Sequence, residues 1–401
     1  MLLKLPVSIL FCNRFVWRRH SSQLARPFVL GIESSCDDSG AAIVSRDGTV
    51  LGEDVHSQQN NHLKFGGIIP PVAQEFHRDH IENVVQRTLD QANMSCADLD
   101  AIAVTNRPGL PLSLLVGVRY AKYLGRKFNK PIIPIHHMEA HALMARMTNK
   151  VPFPFVCILV SGGHSLLTLV KNTKQFYLLG KTLDDAPGEA FDKIARRLKL
   201  RNLPEYAWIS GGRAIELAAA SSTNMTKYDF PLPLSHYRDC QFSFAGLKNT
   251  ATRHILQQEN QLALAPDSVL PDYNDLCAAF LNASAKHIAQ RTLRAIRFCE
   301  NQSLIKASDP KTLVISGGVA CNDFIFRTVS KMAESVGYVT VRPLKKHCTD
   351  NGVMIAWNGV EKFAVGQDIV FDYDSVDIVG KTPLGVSLIE MVKDANIPSK
   401  M

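Results

Sequence analysis

One pattern of strands occurs twice in this chain, and it constrains the fold more than any other feature. Residues 28–32, 41–44 and a segment from Thr49 have the composition of strands, with an acidic and hydroxyl-rich loop at 33–40 and an Asp47-Gly48 turn. An Asp-Gly pair between apolar runs is a strong hairpin signal. Residues 156–160, 166–170 and 175–179 repeat the order strand, loop, strand, turn, strand. The repetition predicts two lobes of related architecture.

Glycine pairs follow two of the predicted strands. Ser161-Gly162-Gly163 comes after the strand at 156–160, and Ser316-Gly317-Gly318 comes after a third apolar strand at 312–315. Glycines at strand ends allow backbone N–H groups to approach a phosphate without a side-chain clash. Each pair alone is typical of a turn. With the loop at 33–40, the three strand-end loops indicate a phosphate or nucleotide site.

Chain length and residue usage limit the possible classes of protein. With 401 residues, two lobes are expected, and we place them at 27–150 and 151–401. After the first segment the sequence has no apolar run of about 18 residues, so no membrane span is predicted. The nine cysteines form no C-x-x-C motif. This pattern excludes a disulfide framework or a zinc ribbon and favours a reducing compartment.

The first 26 residues have the composition of a mitochondrial transit peptide. Residues 1–32 contain no Asp or Glu and carry five basic residues, whose removal lowers the net charge from +8 to +3. A secretory signal is the alternative, because residues 5–12 are apolar. However, Arg14, Arg18 and Arg19 interrupt the apolar block, and no A-x-A-like cleavage site follows. We therefore predict a location in the mitochondrial matrix.

A histidine-rich segment follows the predicted strand at 132–135. His137 and His141 are four residues apart, so one helix would project both imidazoles from the same face, as in helical metal sites. In the H-E-x-x-H motif of zinc peptidases the catalytic Glu follows the first His directly. Here Glu139 lies roughly 200° around the helix from His137, which argues against that mechanism. Two histidines without a metal remain the alternative.

Seven ordered sequence blocks carry a resemblance to a known family. They are GIESSCDDSG, HHMEAHALMAR, LVSGGHSLL, LDDAPGEAFDKIARRL, QFSFAGLKN, VISGGVACN and TDNGVMIAW. The duplicated lobes resemble the α/β two-lobe actin/Hsp70/hexokinase-type (ASKHA) fold, with a nucleotide cleft between the lobes. Within it, the blocks resemble the TsaD/OSGEP family of tRNA threonylcarbamoyltransferases, formerly labelled glycoproteases. The predicted transit peptide suggests the mitochondrial branch of this family.

The resemblance implies a set of site residues. In this family a carboxylate of the TDNG block completes the metal site, which corresponds to Asp350 beside His137 and His141. Two imidazoles and one carboxylate suit one divalent ion, iron or zinc, and leave positions open. Asp37, Asp38 and His164 are the implied catalytic residues. The implied substrate-binding residues are Leu159, Val160, Ser161, Gly162, Gly163, Asp192, Gly212, Glu216, Cys321, Asn322 and Thr349.

The resemblance also implies a reaction and its partners. The substrate would be threonylcarbamoyl-adenylate, supplied by a separate synthase, and the acceptor would be the exocyclic amine of the adenosine 3′ to the anticodon in tRNAs reading ANN codons. A homodimer is expected. Basic clusters at 196–201 and 342–347 are candidates for contact with tRNA phosphates. A metal-dependent endopeptidase, and an ATP-dependent kinase or binding module of the same fold, are the alternatives.

Overall fold

The computed structural model describes residues 26–59, 61–62 and 67–398. The predicted transit peptide, apart from Arg26, lies outside the described residues. Within them, no helix is both long enough and apolar enough to cross a bilayer.

The first sheet has five strands. They are β1 (Val29–Glu33), β2 (Asp38–Val44), β3 (Val50–Ser57), β4 (Ala101–Arg107) and β5 (Ile132–His136), in the order β3-β2-β1-β4-β5. β1, β2 and β3 pair antiparallel, whereas β4 and β5 run parallel to β1. Every residue of β1 is buried, as expected for a central strand covered on both faces.

Helices cover both faces of this sheet. On one face lie α1 (Pro70–Ala92) and α2 (Pro111–Phe128), each with a proline in its first turn, where the missing N–H costs nothing. The short helices α3 (His137–Leu143) and α4 (Ala145–Thr148) follow β5.

The second sheet has six strands. They are β6 (Phe155–Val160), β7 (Ser165–Val170), β8 (Phe176–Lys181), β9 (Thr312–Ser316), β10 (Val339–Val341) and β11 (Val386–Ser387), in the order β10-β9-β6-β7-β8-β11. As in the first sheet, the opening three strands pair antiparallel and the next one, β9, runs parallel to the first. The repeated pattern in the sequence therefore corresponds to a repeated topology.

The helices of the second lobe enclose the largest apolar core of the described chain. They are α5 (Pro187–Arg197), α6 (Gly211–Ala220), α7 (Ala245–Gln261), α8 (Tyr273–Asn301), α9 (Asp323–Glu334) and α11 (Ile389–Asp394). α8 is buried along most of its length, which makes it the central helix of this lobe.

One helix from the distal part of the chain belongs to the first sheet. α10 (Gly352–Ala364) packs on β1, β2 and β4, and its Val353, Ile355 and Val360 share an apolar cluster with that sheet. The boundary predicted at residue 150 separates the strands of the two sheets, but α10 returns across it. The loop before α10 thus passes from the second sheet to the first.

Candidate metal centre and adjoining cavity

Three side chains that the sequence analysis singled out lie together. The Nε2 atoms of His137 and His141 are 3.5 Å and 3.0 Å from Oδ1 of Asp350, and the ligand atoms of the three residues lie within 4.8 Å of one another. Atoms bonded at about 2.1 Å to one tetrahedral ion lie roughly 3.4 Å apart. The spacing and the donor types therefore fit a divalent metal ion.

The strand-to-helix junction explains how the two imidazoles reach this point. α3 begins directly after β5, and the Nδ1 of His136 accepts a hydrogen bond from the backbone N–H of Met138 at its N-terminus. His137 and His141, one turn apart, place their ring centroids 4.7 Å apart at 85°. Both are buried.

Asp350 is positioned by the junction between the two sheets. Asn351, the next residue, caps α10 by accepting a hydrogen bond from the Met354 N–H at 2.9 Å. Gly352 then lies against the backbone of Ala41 in β2, so closely that a Cβ on it would be 2.3 Å from the Ala41 carbonyl carbon. This close approach allows the side chain of Asp350 to reach α3.

One residue of the centre, Glu33, was not predicted from the sequence. Glu33, at the end of β1, lies with Oε2 3.2 Å from Nδ1 of His137 and accepts hydrogen bonds from the Ser35 N–H and the Thr105 hydroxyl, both at 2.5 Å. The sequence did contain a signal for Glu33, since its carboxylate directly follows an apolar strand, and burial is expected at such a position. A buried carboxylate needs such partners.

Charge interactions within the cluster alter its acid–base properties. Burial opposes ionisation of Asp350, but His137 and His141 hold the pKa of its carboxyl well below the usual range. Burial also opposes a charge on His137, yet Asp350 and Glu33 raise its pKa to about 9. In the metal-free state the cluster therefore holds a proton where a cation would bind.

Two of the three predicted catalytic residues, Asp38 and His164, lie close enough to this cluster to interact electrostatically with it. Asp38 begins β2 opposite Ser57 of β3, and burial, followed by Asp37 and Asp350, raises its pKa to about 7 despite a hydrogen bond from Ser57. His164 lies in the second loop, and burial, with His137 as a further cause, lowers its pKa to about 4. Asp37 is partly exposed.

Cys36, next to these residues, is not a thiolate at neutral pH. Burial and the neighbouring Asp37 and Asp350 raise the pKa of its thiol. The raised pKa argues against a role for Cys36 as a nucleophile.

A cavity of about 430 Å³ opens beside the metal-ligating cluster. Its lining includes seven of the predicted substrate-binding residues: Gly162, Asp192, Gly212, Glu216, Cys321, Asn322 and Thr349. It also includes residues that were not among the predicted substrate-binding residues, although Gly318 and Lys345 belong to the predicted phosphate loop and basic cluster: Gly188, Phe191, Ser210, Arg213, Gly318, Val319 and Lys345. Of the remaining predictions, Leu159 and Val160 are fully buried in β6, while Ser161 and Gly163 flank Gly162 without lining the cavity.

Several cavity residues also hold their own loops in place. Asp192 accepts a hydrogen bond from the Gly212 N–H at 3.2 Å, and Glu216 accepts one from the Asp323 N–H at 2.7 Å. Asn322 caps α9.

Gly317, which directly precedes the cavity residue Gly318, has φ +95°, and a Cβ on it would be 2.3 Å from the carbonyl oxygen of Val160. Only glycine fits there.

The basic clusters proposed for tRNA contact are partly paired with carboxylates. Arg342 and Lys345 bind Asp323, at 2.8 Å and 2.7 Å. His347 is buried and lies 3.2 Å from Glu53, and Lys346 binds the same carboxylate. In the other cluster, Arg197 and Lys199 both bind Glu259. Part of each cluster thus stabilises the protein's own structure.

Glu139 does not face the metal-ligating cluster. It lies 3.3 Å from Nζ of Lys362, a buried cation of α10. The glutamate that a zinc peptidase would need beside the metal is therefore engaged elsewhere, as its position on α3 predicted.

Comparison with known proteins decides the family. Residues 49–357 match the model of the TsaD family, tRNA N6-adenosine threonylcarbamoyltransferase. The chain belongs to this family. Relatives lie at high identity across nearly the whole sequence. A Drosophila melanogaster protein named probable tRNA N6-adenosine threonylcarbamoyltransferase, mitochondrial, is 49% identical over 93% of this chain and 92% of its own length. The human protein named tRNA N6-adenosine threonylcarbamoyltransferase, mitochondrial, is 46% identical over 92% of this chain and 89% of its own length.

A bacterial member and a solved structure extend the comparison. The tRNA N6-adenosine threonylcarbamoyltransferase of Rhizobium etli is 40% identical over 84% of this chain and 89% of its own. HypF from T. kodakarensis has a TM-score of 0.52 at 13% identity, covering 86% of this chain and 48% of HypF. At that identity the likeness concerns the fold alone. The fold of this TsaD-family chain is the two-lobe ASKHA type, as predicted.

Proposed function

We propose that this protein transfers the threonylcarbamoyl group from threonylcarbamoyl-adenylate to the exocyclic amine of the adenosine 3′ to the anticodon in mitochondrial tRNAs reading ANN codons, releasing AMP. The observation that carries the proposal is the continuity of cavity and cluster. Thr349 lines the cavity, and the next residue, Asp350, lies 3.0 Å from His141. A ligand in the cavity would therefore extend to the metal-ligating residues. Membership of the TsaD family supports the same reaction.

His137, His141 and Asp350 would hold one divalent metal ion, iron or zinc. When bound, such an ion acts as a Lewis acid that polarises a carbonyl oxygen. The donor set of two imidazoles and one carboxylate leaves coordination positions free for a substrate.

The chain's other residues would bind and orient the adenylate. Asp192 is placed to accept hydrogen bonds from ribose hydroxyls, a common use of a buried carboxylate. Gly162 and Gly318 present backbone to the cavity, where N–H groups can meet the phosphate. AMP is a good leaving group, so the tRNA amine can attack the carbamoyl carbon directly, without a covalent enzyme intermediate. Asp38 is the candidate acceptor for the proton that the amine loses.

The wider setting follows the family and the sequence. The partners would be tRNA, a synthase that supplies threonylcarbamoyl-adenylate, and a second copy of the chain in a homodimer. We propose that residues 1–26 direct the protein to the mitochondrial matrix. The names of the Drosophila and human relatives support the mitochondrial location.

A transfer assay with metal analysis tests the proposal. Purified protein without residues 1–26 is incubated with labelled threonylcarbamoyl-adenylate and mitochondrial tRNA, and label on the tRNA is counted. We expect transfer by the wild type, and loss of both bound metal and transfer in His141→Ala and Asp350→Ala. Asp394→Ala, an exposed carboxylate on α11, is the control and should retain both. Full metal content in His141→Ala would refute the ligand assignment.

A further inference from the structure

We propose that Glu33 is a positioning residue that fixes His137 as a metal ligand, an inference that rests on the metal site proposed above. Oε2 of Glu33 lies 3.2 Å from Nδ1 of His137. The two side chains are 1% and 7% exposed. The pair is therefore shielded from water, where an orienting hydrogen bond is strongest.

The contacts of Glu33 determine which imidazole nitrogen carries the proton. Oε1 of Glu33 accepts from the Ser35 N–H and Oε2 accepts from the Thr105 hydroxyl, both at 2.5 Å. A carboxylate with two donors already bound can take only another donor from His137. Nδ1 of His137 therefore keeps its proton when a metal ion binds, and Nε2, 3.5 Å from Oδ1 of Asp350, is the nitrogen that gives up its proton to the ion.

The other imidazole has no equivalent support. Nδ1 of His141 is buried without a hydrogen-bond partner among the residues that the structure describes. The orientation of His137 thus fixes one side of the cluster, and metal ligands are generally held by such an outer carboxylate or carbonyl. Helix α3 alone would leave the ring free to present either nitrogen.

Glu33 also connects the metal site with the first loop. It is the last residue of β1, two residues before Ser35, whose Oγ lies 3.1 Å from the same Nδ1. Asp37 and Asp38 follow in that loop. The segment that carries two predicted catalytic residues therefore also holds a metal ligand in place.

Measuring metal affinity in variants tests the assignment without any tRNA. The dissociation constant for Zn²⁺ is determined by chelator competition for the wild type and three variants. We expect Glu33→Gln, which removes the negative charge and replaces one carboxylate oxygen by an NH₂ donor, to weaken binding about 10- to 100-fold. Ser35→Ala should change it by less than about threefold, because a neutral hydrogen bond is weaker than a charge-assisted one. Glu139→Gln is the matched control and should bind like the wild type, because Glu139 is a half-buried carboxylate on the helix of His137 but faces Lys362.

Two further measurements exclude a general loss of structure. Thermal unfolding of the metal-free proteins shows whether Glu33→Gln folds. Nitrogen-15 spectra of histidine-labelled, Zn²⁺-loaded wild type, with His137→Gln for assignment, report the tautomer directly and need no Glu33 variant. We expect a protonated Nδ1 and a metal-bound Nε2.

The outcomes separate this inference from the proposed function. Unchanged Zn²⁺ affinity in folded Glu33→Gln, or Zn²⁺ on Nδ1 of His137, overturns the role of Glu33 and leaves the metal site standing. A wild type without Zn²⁺ affinity overturns both, whereas the transfer assay still decides whether the chain is a transferase.

Discussion

Single residues of the same type differ here in ways that only burial explains. Asp37 and Asp38 are adjacent and look equivalent in the sequence. In the structure both residues are partly exposed, but Oδ1 of Asp38 is buried without a hydrogen-bond partner among the described residues, and burial raises the pKa of its carboxyl to about 7. A carboxyl that titrates near neutral pH suits a general base. Glu33 was not predicted as a site residue, because its role depends on contact with His137, which is distant in the sequence.

The raised pKa of Asp38 predicts the pH dependence of transfer. If Asp38 accepts the proton of the attacking amine, only its ionised form is active, so kcat/KM should rise with pH and level off above about 7. Asp38→Asn should remove this rise and lower the rate about 10²- to 10⁴-fold, the usual contribution of a general base. The measurement is a pH profile of both proteins with the same tRNA. An unaltered profile in Asp38→Asn would assign the titration to another group.

At the scale of elements, most helices and strands could be predicted, but their packing could not. Apolar runs and turn signals indicated strands at 28–32, 41–44 and 132–135, and the structure has β1, β2 and β5 there. For α10, which follows the TDNG block, nothing in the sequence indicated which of the two sheets it covers. Two glycines explain why α10 packs on the first sheet. Gly31 and Gly352 allow α10 to approach β1 and β2 closely, and a Cβ on Gly31 would be 2.2 Å from the backbone nitrogen of Ala356.

This close packing predicts the effect of one added methyl group. Gly352→Ala would place Cβ 2.3 Å from the backbone of Ala41, so we expect α10 to shift and stability to fall by at least about 1–3 kcal/mol, the usual cost of overpacking. Gly246→Ala is the matched control, since Gly246 also lies in the first turn of a helix, α7, and a Cβ on it would have no neighbouring atom within 4 Å. Urea unfolding of both variants measures the difference. Equal stability of the two variants would mean that α10 can move away from β2 without lowering the free energy of unfolding. Because Asp350 is two residues away, Gly352→Ala should also bind Zn²⁺ more weakly.

At the scale of the whole molecule, the metal-ligating residues come from segments far apart in sequence. His137 and His141 lie on α3, after the first sheet, whereas Asp350 ends the loop that leaves β10 of the second sheet and enters α10. The resemblance to the family indicated that these residues meet. Residue spacing alone could only pair the histidines, because 209 positions separate His141 from Asp350.

A metal ion held by both segments should stabilise the native chain, since the cluster exists only when α10 is packed on the first sheet beside α3. A ligand that binds only the folded state at 100 times its dissociation constant adds about 2.7 kcal/mol to the free energy of unfolding. We therefore expect Zn²⁺ to raise the unfolding temperature of the metal-free wild type by several degrees, increasing with Zn²⁺ concentration. Asp350→Asn removes the charged ligand and should abolish most of this increase, while Asp394→Asn, which neutralises an exposed carboxylate, should retain it. Differential scanning calorimetry over a Zn²⁺ series measures the shift. The same increase in Asp350→Asn would show that the stabilising ion is bound elsewhere.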